Sequence, residues 1–205
     1  MRRAVIEGFF KELDRALGRP ADVILTGAAA GALWGNVRPS LDIDFEIRLK
    51  GEGKAEGRSL LEEAVQKACR EAGIAANYSE NIGHGSLIDF LDYRKAALPY
   101  KKIGRLKVRL MAPAHWTLGK MARFLEIDIR DLLKIIKRKR IAPVPLARLW
   151  GRALRQSSLS LATAQFRDHV IYFLNRHGKQ AWGRSFNPAK ALALFEKTAG
   201  IKGKF

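Results

Sequence analysis

The sequence predicts an α/β fold: a small mixed β-sheet with flanking helices, followed by a helical C-terminal region. Three observations predict it. Up to about Met111, short apolar or alternating runs that read as strands recur between helical patterns. From about Pro143 onward little strand signal remains, and helical spacing takes over. Near the start, residues 22–48 set a strand, a glycine turn, a short helix and an acidic strand in one continuous stretch. Strands that alternate with helices belong to layered folds in which helices cover a sheet.

The chain has 205 residues, enough for one α/β domain with a helical extension or for two small domains. We divide it at 135: residues 1–135 as an α/β domain and 136–205 as a basic helical region. Hydrophobic residues make up 47%, enough to build a core. The 38 Lys and Arg against 20 Asp and Glu give a formal charge of +18, which suits a polyanionic partner, nucleic acid before an anionic membrane surface. With Cys69 as the one cysteine, neither a disulfide framework within the chain nor a thiolate metal cluster can form. No apolar run approaches the ~20 residues that span a bilayer, so no membrane partner is expected. Met1-Arg2-Arg3 is basic, but the amphipathic pattern carrying Glu7, Lys11, Glu12 and Asp14 is not that of a signal peptide. A cytoplasmic protein is expected.

In chain order, residues 3–17 read as an amphipathic helix, with Val5, Phe9, Leu13 and Leu17 at helical spacing and Ile6 and Phe10 widening the stripe. Gly18 and Pro20 stop it. Residues 22–25 read as a buried strand running into Thr26-Gly27, and 28–33 as one or two helical turns. Residues 41–47 alternate apolar and acidic, so that Asp42, Asp44 and Glu46 share one strand face and Ile43, Phe45 and Ile47 the other. Residues 50–57 read as a glycine-rich loop. Ser59 then caps a helix that runs to about Ala72, with Glu62 completing a capping box. Residues 74–80 read as a strand, 81–85 as a turn and 86–94 as a further strand-like run. Residues 104–111 alternate, with Arg105, Lys107 and Arg109 on one basic face. A helical pattern follows Pro113 and breaks near 126–128. Residues 144–154, 159–176 and 188–198 read as three helices, the last capped by Asn187 with Pro188 at its first position. Lys137-Arg138-Lys139-Arg140 is the densest basic run and the expected nucleic-acid contact. Trp150, Phe166, Tyr172 and Trp182 interleave with basic residues, as core side chains or as base-stacking ones.

Two carboxylates two apart on one strand face repel unless a cation sits between them. A divalent metal held through those carboxylates and a nucleotide's phosphates relieves the repulsion. Gly27 lets the backbone approach a phosphate closely, and a following helix start favours anions. Asp42 and Asp44 are therefore candidate metal ligands. The histidines show no metal-binding spacing, and there is no G-x-x-x-x-G-K-[ST] phosphate loop.

Gly27-Ala28, thirteen residues, and Asp42-Ile43-Asp44-Phe45 resemble the signature of the nucleotidyltransferase fold superfamily, and in particular its bacterial branch of AbiEii-like toxins and related nucleotidyltransferase-like proteins. Ala28 stands where that family has Ser or Gly. The resemblance extends through Pro113, Lys120, Arg123, Asp128 and Asp131, similar to a phrase that follows the last core strand in that branch. It implies a nucleotidyltransferase-like core within residues 1–135 and Mg²⁺ held by Asp42, Asp44 and a third carboxylate. Asp89, flanked by Ile88 and Phe90, is preferred over Asp92 for that third place. It further implies a nucleotide bound by Gly27, Ala28, Arg38, Lys120 and Arg123, with Lys120 also in the catalytic set. Asp128 and Asp131 are read as capping or pairing residues rather than metal ligands.

The implied function is Mg²⁺-dependent transfer of a nucleoside monophosphate from a nucleoside triphosphate to an acceptor. The positive charge points to RNA, tRNA first. A toxin-like protein of this kind can have a protein antitoxin as partner. Two other readings stay open: a non-catalytic nucleic-acid-binding protein, and an enzyme that nucleotidylates a protein.

Overall fold

A computed structural model describes residues 1–35, 41–49, 54–83 and 86–201. The protein is mixed α/β, and its chain forms two compact units. One comprises Met1–Ile82 and Arg94–Met111, the other Gly83–Tyr93 and the chain from Ala112 onward.

The first unit opens with α1 (Arg3–Leu17), which buries Ile6, Phe9, Phe10, Leu13 and Leu17 and ends at Gly18 in the left-handed region. Val5, expected on the buried stripe, is exposed. Then come β1 (Ala21–Leu25), the short α2 (Gly27–Leu33), β2 (Asp42–Leu49), α3 (Lys54–Ala72) and β3 (Ala75–Ser79). α3 corrects the expected loop over 50–57, of which 50–53 lie outside the described residues. The helix already runs at Lys54, so Ser59 lies inside it and does not cap it. α4 (Tyr93–Ala96) leads to β4 (Leu98–Ile103), a strand for which the sequence showed no pattern, and β5 (Leu106–Leu110).

The five strands form one sheet in the order β3-β2-β1-β5-β4. β1 is antiparallel to β2 and parallel to β5, β2 is parallel to β3, and β4 is antiparallel to β5. β4 lies at the edge, where Pro99 removes no central ladder bond. One sheet face is apolar and carries Val23, Ile43, Phe45, Ile47 and Val108. Phe9 and Phe10 of α1 meet Phe45 with ring centroids 5.7 and 5.4 Å apart. Tilted aromatic pairs of this kind add about 1 kcal/mol each beyond the area they bury. Since side chains alternate along a strand, this packing fixes Asp42, Asp44 and Glu46 on the opposite face.

The second unit is helical: α5 (Pro113–Arg123), α6 (Glu126–Arg138), α7 (Pro143–Gln156), α8 (Leu161–Trp182) and α9 (Pro188–Ala199). α5 and most of α6, placed before the division at 135 by sequence, pack with this unit. Phe124, with φ 54°, makes the break between α5 and α6. Trp150, Phe166, Phe173 and Phe195 are fully buried, and Trp150 donates a 2.9 Å hydrogen bond to Thr117 Oγ1. Trp182 donates to Ile141 O. Trp150 and Phe166 are thus core residues, while Tyr172 is exposed. Gly151 lets α7 approach α9 closely: a Cβ there would lie 2.7 Å from Phe195 O.

Residues 86–92 form no strand. Asp89 takes the backbone N–H of Leu91 at 2.5 Å, and Leu91 has φ 54°. An aspartate that bonds its own backbone two residues on makes a turn in place of a ladder. Ile88 is buried in the core of the second unit. Among the described residues, no helix is long and apolar enough to cross a membrane.

Candidate functional site

The site lies on the polar face of the first unit's sheet, at the end of β1 and the start of β2. β1 is apolar because the central position buries both its faces, and it ends at Thr26. Thr26 N–H donates to Asp44 O at 2.9 Å, which ties the turn after β1 to β2. Gly27 follows with φ 58°, and any Cβ there would overlap the Asp44 carboxylate. Both the dihedral and the space demand glycine. Ala28, the next residue, is buried in α2.

β3 supplies the third component. Its register pairs Asn77 with Asp44, so the two side chains share a face. Asn77 Nδ2 donates to Asp42 Oδ2 at 2.8 Å and to Asp44 Oδ1 at 3.2 Å. Two carboxylate oxygens from alternate residues of one strand therefore converge on a single amide group, whose N–H hydrogens are positively polarised. This is the arrangement their mutual repulsion calls for, with an amide N–H₂ in the central place. Asn77 is exposed and Asp42 and Asp44 are half-buried, so the site is open to solvent. Hard carboxylate oxygens that converge in this way fit Mg²⁺, which binds through one or two carboxylates and completes its shell with water or phosphate.

One row along the same face, Glu46 is 1% exposed. Arg94 holds it through Nε at 2.7 Å and Nη2 at 3.2 Å, and Ile82 N–H donates to it at 3.0 Å. Glu46 is thus engaged as a buried ion pair. Arg109 lies in the same row, since both it and Glu46 pair with Ile24 of β1. Its Nη1 donates to Arg94 O at 2.8 Å, while its enclosed Nε has no hydrogen-bond partner among the described residues.

The other expected site residues are placed differently. Asp89 is not on a strand beside β2; its carboxylate closes the Leu91 turn and its N–H donates to Ser157 Oγ at 2.9 Å. Among the described residues, no group of three or more His, Cys, Asp or Glu side chains is gathered as a metal cage. Lys120 is 3% exposed. Its ammonium pairs with Asp128 Oδ1 at 2.9 Å and Asp131 Oδ2 at 2.8 Å, and lies 4.9 Å from the Trp116 ring centre. An interior ammonium must be compensated in this way. This corrects the picture of a lysine open to a triphosphate. Arg123 lies on the same helix face and donates to Asp128 Oδ1 at 2.8 Å, with its side chain more than half exposed. Asp128 and Asp131 are accordingly ion-pair partners. Arg38 lies outside the described residues. Lys137, Arg138, Lys139 and Arg140 are all exposed at the end of α6.

Sequence reasoning missed Asn77 and Arg109 as members of the site. Arg109 carried a signal, because the alternation of residues 104–111 put it on the polar face. Asn77 carried none. No protein-family model matches the chain, and no curated protein or solved structure matches it.

Proposed function

We propose that this chain is a Mg²⁺-dependent nucleotidyltransferase with a nucleotidyltransferase-like core in its first unit. It transfers a nucleoside monophosphate from a nucleoside triphosphate to a hydroxyl of an RNA acceptor, tRNA first. In this reaction the acceptor hydroxyl gives up its proton to solvent as its oxygen bonds to the α-phosphorus, the bond from that phosphorus to the bridging oxygen breaks, and pyrophosphate leaves. The observation that carries the reading is the convergence of Asp42 and Asp44 beside Gly27. Those two carboxylates are the residues that would hold the metal, which when bound supplies charge to stabilise the pyrophosphate and the attacking oxygen. Gly27 keeps the ground beside Asp44 clear of a side chain. Arg109, on the same sheet face, is the cation that offsets charge on the phosphate chain, in the place the resemblance gives to Lys120. The net charge of +18 supports a nucleic-acid acceptor.

One observation favours a second reading. The Asn77 amide already bridges the two carboxylates and offsets part of their repulsion without a metal. A nucleotidyltransferase-like protein that binds nucleic acid without catalysis would keep the same geometry.

The experiment is label transfer with Mg²⁺, total tRNA and each of the four α-labelled nucleoside triphosphates, beside an Asp42→Asn/Asp44→Asn variant. Label on RNA that vanishes in the variant is the expected result. Label on protein moves the acceptor to a polypeptide, an antitoxin among the candidates. No label anywhere, with RNA bound equally by both proteins, favours the non-catalytic reading.

A further inference from the structure

On α7, Arg148, Arg152 and Arg155 are exposed at i, i+4 and i+7, so they form one stripe along the helix. The opposite face buries Leu146, Leu149, Trp150 and Ala153. Among the described residues, none of the three arginines pairs with a carboxylate or donates a hydrogen bond. Like charges one helical turn apart disfavour each other, so the stripe calls for an anion much as Asp42 and Asp44 call for a cation. The close approach of α7 to α9 at Gly151 gives this stripe a wall. Arg148, Arg152, Pro145 and Thr198 line a cleft of about 390 Å³. Thr198 donates its hydroxyl to Leu194 O and keeps its acceptor lone pairs, while both guanidinium forks carry donors only.

We propose that this cleft and the stripe beyond it bind the sugar-phosphate backbone of the acceptor RNA, which rests on the nucleotidyltransferase reading for its role but not for its existence. The helical rise puts Arg155 about 10 Å along the axis from Arg148. That length is on the scale of a few consecutive phosphates of one strand, so each guanidinium can meet its own phosphate. Guanidinium forks match phosphate oxygens two at a time, which suits a backbone-tracking face with no base preference. The sequence displayed these arginines without their common face, since their spacing means little until α7 is known to bury its other side.

The test measures binding of a labelled single-stranded RNA 20-mer between 50 and 300 mM salt. Arg148→Gln/Arg152→Gln/Arg155→Gln is compared with Lys67→Gln/Arg70→Gln/Lys102→Gln, which removes the same charge from exposed positions of the first unit. The expected result at 150 mM salt is a loss of 30-fold or more for the α7 variant and of less than about 3-fold for the control. The slope of log K against log salt should flatten by about two in the α7 variant, at about 0.7 for each phosphate no longer neutralised. A triple Arg→Lys variant should recover part of the affinity, and its melting temperature checks that the fold is intact. Equal losses in both Gln variants, no loss in either, or binding to anionic phosphatidylserine vesicles in preference to RNA would overturn the proposal. Arg-dependent RNA binding in a protein that transfers no label would leave it standing and remove the catalytic reading instead. Label transfer with affinity indifferent to the α7 arginines would do the reverse.

Discussion

At Gly27 a single methyl group decides whether the turn after β1 can close. A Cβ there would overlap the Asp44 carboxylate, and a φ of 58° strains any residue with a side chain. Gly27→Ala is expected to cost roughly 1–3 kcal/mol, seen as a lower urea midpoint, with the geometry around Asp44 disturbed as well. His115 offers a different test. Burial pushes its pKa below the ordinary histidine value, the nearby Arg152 adds to that, and Asp92 works against it. Below about pH 6.5 the unfolded chain takes up a proton that the folded chain resists. Stability is therefore expected to fall as pH drops through that range, and His115→Gln should show a smaller loss of melting temperature between pH 7.5 and 5.5. Not every residue of the candidate site was legible beforehand. Asp42 and Asp44 were, because a period of two in an apolar-acidic run defines a face without reference to anything else. Asp89 satisfied the same apolar-acid-apolar pattern, yet its carboxylate was free to bond its own backbone, and a turn resulted. Asn77 is a member only because β3 pairs with β2 in one register, and pairing partners are not written in a single sequence.

Elements were legible where a periodic apolar face was long. α1 was read with its observed bounds because five buried side chains recur through it and a glycine ends it. β4 was not, since Leu98-Pro99-Tyr100-Lys101-Lys102 has no clean alternation and only its edge position makes Pro99 tolerable. The start of α3 was hidden by glycines that usually mark loops. The linkage of α5 to α6 makes the sharpest prediction at this scale. Lys120 reaches from α5 to Asp128 and Asp131 of α6, all three being almost wholly buried. Lys120→Met leaves two interior carboxylates without their ammonium, and a loss of about 3–5 kcal/mol is expected in chemical denaturation. Replacing Asp128 and Asp131 by Asn in the same protein should restore much of that loss. A full loss in the triple variant would mean that the lysine's packing on Trp116 carries the stability.

Across the whole molecule, charge is the property most directly read from the sequence and least able to say where it acts. Lys137, Arg138, Lys139 and Arg140 stand exposed at the end of α6. If they touch RNA phosphates, exchanging all four for Gln flattens the salt dependence of RNA binding by about 0.7 for each phosphate set free. An unchanged slope would make the run a solvated helix end. The division of the chain was the least legible feature. The sequence placed one boundary at 135, where strand signal had ended and basic helices continued. The units instead exchange chain at three points, after Ile82, after Tyr93 and after Met111.

That threefold crossing bears on how the protein is made. Synthesis proceeds from the N-terminus at about 5–20 residues per second. The segment Gly83–Tyr93 is synthesised before any of α5 to α9, so Ile88 has no core to enter until those helices arrive. The sheet waits too: β1, central in the finished order, gains its parallel neighbour β5 only after Leu110 has been added. A chain truncated near residue 92 therefore holds an uncovered β1 edge and an unhoused apolar turn together. By the same logic no single cut yields either unit intact. A fragment starting at Ala112 lacks Ile88 and Phe90, and one ending at Ile82 lacks two of five strands.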